Sequence, residues 1–132
     1  MQEKVHVLIG EDDPNDRLLL EKAFRKVWPD VQVDLFPSGA AVVDHLQAEP
    51  SSAPSLIILD TLTSHMTGWE VMEWLQNHPT FSRVPVVMFS GQVKASDRAL
   101  AERLGAKGYF EKPHDTSDLF ALIKELGKFW AG

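Results

Sequence analysis

Cysteine is absent from the 132 residues. No disulfide framework, thiol nucleophile or thiolate metal site is therefore available, and the chain must hold itself together by burial. A domain of this length removes roughly two-thirds of its unfolded surface from water, which is enough. Positive charge is short, with Lys+Arg 13 against Asp+Glu 19 and a net charge of −6, and this disfavours nonspecific nucleic-acid binding by counterion release. Apolar runs stop at five or six residues, far below a membrane span. The start, Met-Gln-Glu-Lys-Val-His, lacks the basic and apolar regions of a signal peptide. Composition is even, with no low-complexity tail. The expectation is one cytoplasmic domain over 1–132, with its core from about 4 to 130, no membrane insertion and no direct nucleic-acid contact.

What the chain does have is a set of short apolar runs, each ending in a polar residue. Leu56-Ile57-Ile58-Leu59-Asp60 is the most informative. Four apolar residues in succession read as a strand buried on both faces, the habit of a central parallel strand, and the run ends in one carboxylate. Val5-His6-Val7-Leu8-Ile9 stops at Gly10 and is followed by Glu11-Asp12-Asp13-Pro14. Asp13 is a good helix N-cap with proline at the first helical position, and Leu20, Ala23, Phe24 and Val27 recur at helical spacing, so a helix is predicted over about 14–27. Val31 to Phe36 reads as a second strand, and Ser38 caps a helix over about 39–48. Gly68 opens a third helix carrying Val71, Trp74 and Leu75. Pro85 to Phe89 delivers Ser90 and Gly91. Ser96-Asp97 opens a fourth helix with Leu100 and Leu104 inward, closed at Gly105. Gly108 to Glu111 is a short fifth strand before Lys112-Pro113, and a final helix spans about 116–130. Phe120, Phe129 and Trp130 exceed what its inner face needs, which suggests a partner surface.

Five strands alternating with five helices imply right-handed crossovers and a parallel sheet covered on both faces. In such a sheet every strand's carboxyl end lies on one edge, where open α/β folds bind their ligands. Glu11 and Asp12, Asp60, Ser90 and Lys112 therefore converge. Three neighbouring carboxylates repel by about 4 kcal/mol per pair at about 4 Å and an effective dielectric of about 20, so the cluster needs a cation. Lys112 supplies one charge, and the surplus acidity suits Mg²⁺, which takes one or two carboxylates and completes its shell with water and phosphate oxygens. A carboxylate among a metal, a lysine and a hydroxyl is a sufficient set for phosphoryl transfer to Asp60.

These pieces, with Met66-Thr67-Gly68-Trp69-Glu70 opening the third helix, resemble in order and spacing the receiver (response regulator) domain of two-component signalling, over essentially the whole chain. The resemblance implies a flavodoxin-like, doubly wound five-stranded sheet in the order 2-1-3-4-5, flanked by five helices in a three-layer sandwich. It implies that Asp60 accepts a phosphoryl group from a phosphohistidine on a sensor histidine kinase or histidine phosphotransfer protein. It further implies that Asp12 and Asp60 bind Mg²⁺ with the backbone carbonyl of Leu62, and that Glu11 acts through water. Ser90 and Lys112 would contact the phosphoryl oxygens, and Tyr109 would be the switch aromatic whose rotamer follows Ser90. By the same resemblance the Lys112–Pro113 bond is expected to be cis. Leu62 and Gln92 occupy the positions expected to tune hydrolysis of the acyl phosphate. Ser64 stands where many receivers have proline, so the 61–67 loop is expected to be looser, and Gly10 is smaller than the usual branched residue.

The chain ends just after the last helix, so the expectation is a stand-alone switch, catalysing only its own phosphorylation and dephosphorylation. Its output would be a partner, onward phosphotransfer, or a homodimer through the face of the fourth helix, fifth strand and fifth helix. The rival reading is a phosphorylation-independent interaction module on the same fold, favoured if any of Glu11, Asp12, Asp60, Ser90 or Lys112 were missing; none is. A flavoprotein is disfavoured because Glu11-Asp12-Asp13 would repel a phosphate. An aspartate-nucleophile phosphatase is disfavoured because Leu62 stands where a second acid belongs. His65 is read as a solvated loop residue, and the other histidines lack metal-ligand spacing.

Overall fold

The run Leu56–Asp60 is a strand buried at every position, and it occupies the middle of the sheet. A computed structural model describes residues 4–130. In chain order the elements are β1 His6–Gly10, α1 Pro14–Val27, β2 Gln32–Phe36, α2 Gly39–Ala48, β3 Leu56–Asp60 and α3 Gly68–Gln76. They continue with β4 Val86–Ser90, α4 Ala95–Arg103, β5 Gly108–Glu111, α5 Thr116–Leu126 and a 3₁₀ turn, Gly127–Phe129. All strand pairs are parallel, as the alternating pattern predicts, and the order is β2-β1-β3-β4-β5, as the receiver resemblance implies.

Strand alternation divides the interior in two. Val7, Ile9, Leu56, Ile58, Val87 and Phe89 face α1 and α5, where Leu20, Phe24, Leu119 and Ile123 cover them. Leu8, Ile57, Leu59, Val86 and Met88 face α2, α3 and α4 through Val42, Leu46, Val71 and Leu75. Each fully buried aliphatic side chain contributes about 1.5–3 kcal/mol, so the central strand is anchored from both sides. Gly10 fits because Val42 and Leu59 fill the space of a larger side chain: a Cβ there would lie 3.1 and 3.2 Å from them.

Helix starts follow the predicted caps. The Asp13 side chain accepts from the backbone N–H groups of Asn15 and Asp16, and Ser38 from that of Ala41. Three details differ from the sequence expectation. α4 starts at Ala95 behind Lys94, which makes no side-chain cap bond, and its buried residue is Ala101, with Leu100 and Leu104 only half-buried. α5 gives way to the 3₁₀ turn at Gly127, which packs against the Trp28 ring; that indole donates to the Ile123 carbonyl at 2.9 Å. Phe129 and Trp130 are half-buried against the α1/α5 core, and Trp130 stands edge-on to Trp28 at 5.3 Å, so these aromatics serve the fold itself. No helix of the described residues is long and apolar enough to cross a membrane.

Candidate functional site

The sheet's carboxyl edge is assembled by backbone bonds that extend the ladder one residue past each strand. Glu11 donates its N–H to the Phe36 carbonyl, Thr61 to Phe89, and Lys112 to Ser90 at 2.7 Å. Three of the predicted strand ends meet directly. Lys112 Nζ lies 2.7 Å from Glu11 Oε1 and 2.7 Å from Asp60 Oδ2. Side-chain exposure is 3% for Glu11, 10% for Asp60 and 24% for Lys112, so the pairs are largely withdrawn from water. The other Asp60 oxygen, Oδ1, accepts the Leu62 N–H at 3.0 Å.

Lys112 reaches both carboxylates from a trans peptide. The expected cis Lys112–Pro113 bond is thus corrected: among the described residues no peptide bond is cis. The four-carbon lysine stem spans the distance from the end of β5 unaided, so nothing has to offset the cost of the rarer isomer.

Burial pushes the Glu11 carboxyl up to about 7, against the opposing pull of its hydrogen bonds from Lys112 and the Asp13 N–H; the Asp60 charge adds to the rise. Burial also works against the Lys112 ammonium, but hydrogen bonds to Asp60 and Glu11 and the charges of both outweigh it. The ammonium is held above the ordinary lysine range. The geometry is that of an excess of negative charge around one fixed cation.

Glu11, Asp12 and Asp60 each bring a carboxylate oxygen within 4.8 Å of the others, with Asp12 exposed and the other two buried. An all-oxygen donor set of this size, open to solvent on the Asp12 side, fits a hard divalent ion that keeps part of its water shell. The Leu62 side chain is 73% exposed and stands away from the core.

Ser90 and Tyr109 lie next to this cluster without joining it. The Ser90 hydroxyl donates to the Gln92 carbonyl at 2.8 Å and accepts the Gln92 N–H at 3.3 Å. Tyr109 is turned inward at 5% exposure, with Arg98 over its ring at 5.3 Å and Trp69 at 6.3 Å; its buried hydroxyl has no hydrogen-bond partner among the described residues.

The 61–67 loop is tied down, contrary to the expected looseness. Thr63 Oγ1 donates to the Met66 carbonyl and Gly68 N–H to the Thr61 carbonyl, while a Thr67–Glu70 capping box starts α3. His65 and Met66 hold φ of 56° and 147°, a strained pair that these bonds enforce. His65 is exposed, as a solvated loop residue should be.

Two residues of the first turn of α1 belong to the site although the sequence reading passed over them. Arg17 Nη1 donates to the carbonyls of Glu11 at 2.8 Å and Asp12 at 3.0 Å, holding the acidic loop in place. Asp16 Oδ2 lies 3.3 Å from Lys112 Nζ. Their one sequence signal is the N-cap at Asp13, which fixes where that first turn points.

Residues 7–124 match the response regulator receiver domain family. The chain is 27% identical to the response regulator Rre1 of Synechocystis sp., over 96% of this chain and 53% of that protein. It is also 27% identical to the response regulator Rcp1 of the same organism, over 94% of this chain and 87% of that one. It thus spans about half the length of Rre1 but most of Rcp1. Among solved structures it superposes on the phosphorylated cyanobacterial phytochrome response regulator RcpA with a TM-score of 0.87 at 26% identity, covering 97% of this chain and 94% of that one. The Mn²⁺-bound form of Rcp1 gives a TM-score of 0.84 at 26% identity, covering 96% and 94%. With the strand order, the acidic edge and the lysine already in place, the match settles the family: the chain is a member of the response regulator receiver domains of two-component signalling.

Proposed function

We propose that Asp60 accepts a phosphoryl group from a phosphohistidine of a sensor histidine kinase or histidine phosphotransfer protein, and that the charge it gains resets the surface offered to a downstream partner. The observation that carries this is the Lys112 ammonium on Asp60 Oδ2 beside the convergent carboxylates of Glu11 and Asp12. An Asp60 carboxylate oxygen forms the new P–O bond as the P–N bond of the phosphohistidine breaks. The bonding pair returns to the imidazole nitrogen, and the histidine leaves as neutral imidazole because its other ring nitrogen carries a proton in the reacting form.

Asp12 and Asp60, with the Leu62 backbone carbonyl, are the residues to hold Mg²⁺, with Glu11 acting through water. A bound divalent ion supplies neutralising charge for the phosphoryl oxygens. The Mn²⁺-bound form of the relative Rcp1 supports a divalent ion at this edge. Lys112 neutralises the phosphoryl oxygens from the opposite side, and the Ser90 hydroxyl leaves the Gln92 carbonyl to donate to them. Tyr109 reports that movement to the α4–β5–α5 face, through which a homodimer or another partner reads the state. Leu62 and Gln92 flank the approach of water that ends the signal. The domain turns over no separate substrate, and its partners place it in the cytoplasm.

Intact mass after incubation with phosphoramidate and Mg²⁺ tests this. A gain of one phosphoryl group that is lost in Asp60→Asn and in chelator is expected. A folded protein with no adduct on a timescale shorter than hydrolysis points instead to a phosphorylation-independent interaction module.

A further inference from the structure

Lys112 is served by three carboxylates where its proposed task needs only one. Its ammonium has three N–H donors. Besides Glu11 Oε1 and Asp60 Oδ2 at 2.7 Å, it has Asp16 Oδ2 at 3.3 Å, reaching over from α1. Glu11 and Asp60 belong to the trio whose oxygens converge within 4.8 Å. A divalent ion at that trio draws on both before the phosphoryl oxygens arrive as new partners for the ammonium. Asp16 is outside the trio, so its charge remains available to the ammonium at each stage.

The lysine stem is flexible and the lysine head strongly hydrated, so an ammonium that loses its partners swings toward water. A small cleft lined by Glu11, Asp16, Leu20, Phe89, Lys112 and Pro113 leaves space at these residues. Asp16 lines it together with Lys112, 3.3 Å from the ammonium. Its backbone is fixed, because its own N–H is one of the two bound by the Asp13 cap.

We propose that Asp16 is a positioning residue for Lys112: it keeps the ammonium at the phosphoryl site while a metal ion draws on Glu11 and Asp60, until the incoming phosphoryl oxygens take the ammonium over. This rests on reading Asp60 as the phosphoryl acceptor. The simpler role for an acid in a helix's first turn is to complement the helix dipole. That role affects stability alone and has no link to Lys112.

The test measures the rate of phosphoryl uptake from phosphoramidate at saturating Mg²⁺, and Mg²⁺ affinity, in the wild type, Asp16→Asn, Asp16→Glu, Lys112→Met and the Asp16→Asn/Lys112→Met double variant. Asp16 is 39% exposed, so the pair belongs near the upper end of partly solvated ion pairs. Asp16→Asn is expected to slow uptake about fivefold, the factor that ~1 kcal/mol gives. Asp16→Glu restores most of the rate, Mg²⁺ affinity stays within about twofold, and the Asp16→Asn effect disappears in the Lys112→Met background. An unchanged rate in Asp16→Asn, the same slowing in the Lys112→Met background, or a slowing cured by extra Mg²⁺ each overturns the proposal. If the wild type takes up no phosphoryl group, the reading of Asp60 fails. The Asp16–Lys112 contact is then judged by the urea-unfolding cycle of the wild type, Asp16→Asn, Lys112→Met and the double variant, where zero coupling overturns it.

Discussion

Replacing Lys112 by methionine keeps the length of the side chain and deletes its charge, which isolates what the ammonium does for the metal-free fold. Two carboxylates, Glu11 and Asp60, lose a partner at 2.7 Å while remaining mostly buried. Removing one member of a buried ion pair typically costs 3–5 kcal/mol, because the remaining charge is stranded. With Lys112 and Asp60 still in partial contact with water, the lower end applies, about 3 kcal/mol at about pH 8 in chelator. The penalty depends on pH in a definite direction. Burial already lifts Glu11 to about 7 in the folded state from 4.5, and losing Lys112 lifts it further. A carboxyl whose folded pKa is raised binds more protons folded than unfolded, so stability falls as pH rises through that window. The Glu11 share of the Lys112→Met loss is therefore complete above the variant's own, still higher folded value and is gone once pH falls below about 7, where Glu11 is protonated in both folded proteins. Urea unfolding followed by tryptophan fluorescence, in chelator from about pH 8 to about pH 5, reads the gap at constant m. A difference below about 1 kcal/mol at the alkaline end, or one that does not shrink on acidification, refutes the reasoning.

Three other substitutions and a Mg²⁺ titration probe the rest of the site. Gly68→Ala places a Cβ 2.6 Å from the Asp60 carbonyl oxygen and 2.8 Å from Met88 Cε, so it should cost about 1–3 kcal/mol by overpacking and slow phosphoryl uptake, read by denaturation and intact mass. Mg²⁺ should raise the unfolding free energy by about 2.7 kcal/mol at roughly a hundredfold excess over its Kd, an effect that Asp12→Asn diminishes. Arg17→Met frees the carbonyls of Glu11 and Asp12 and should weaken Mg²⁺ binding severalfold in a calorimetric titration with the fold retained; unchanged affinity would show that the acidic loop holds its shape without it.

The architecture was legible because two periodicities and two caps agree. Leu56 to Leu59 reads as a doubly buried strand, and Asp13 and Ser38 each stand one residue ahead of a helix that begins where predicted. Glu11, Asp60 and Lys112 were legible as a group for a topological reason, since parallel strands deliver their ends to one edge. What lay outside the sequence's reach depends on contacts between distant elements. Asp16 and Arg17 look like any charged residues of a first helical turn until the tilt of α1 aims one at Lys112 and the other at the acidic loop. The end of α5 is decided by Trp28, whose indole reaches Ile123 across the α1/α5 contact. The buried position of α4 is Ala101, with Leu100 and Leu104 only half-buried. The 61–67 loop kept its shape without proline because Thr63 supplies the closing bond.

Borohydride trapping locates the acyl phosphate at single-residue resolution. Protein treated with phosphoramidate and Mg²⁺ is reduced, digested and mapped by peptide mass; hydride converts an aspartyl phosphate to homoserine and releases phosphate. Homoserine at position 60, absent when Mg²⁺ is chelated and absent in Asp60→Asn, is the predicted result. Homoserine at Asp12 or another carboxylate, or an unmodified Asp60 in a folded protein that Mg²⁺ binds, would contradict the assignment of Asp60 as the phosphoryl acceptor.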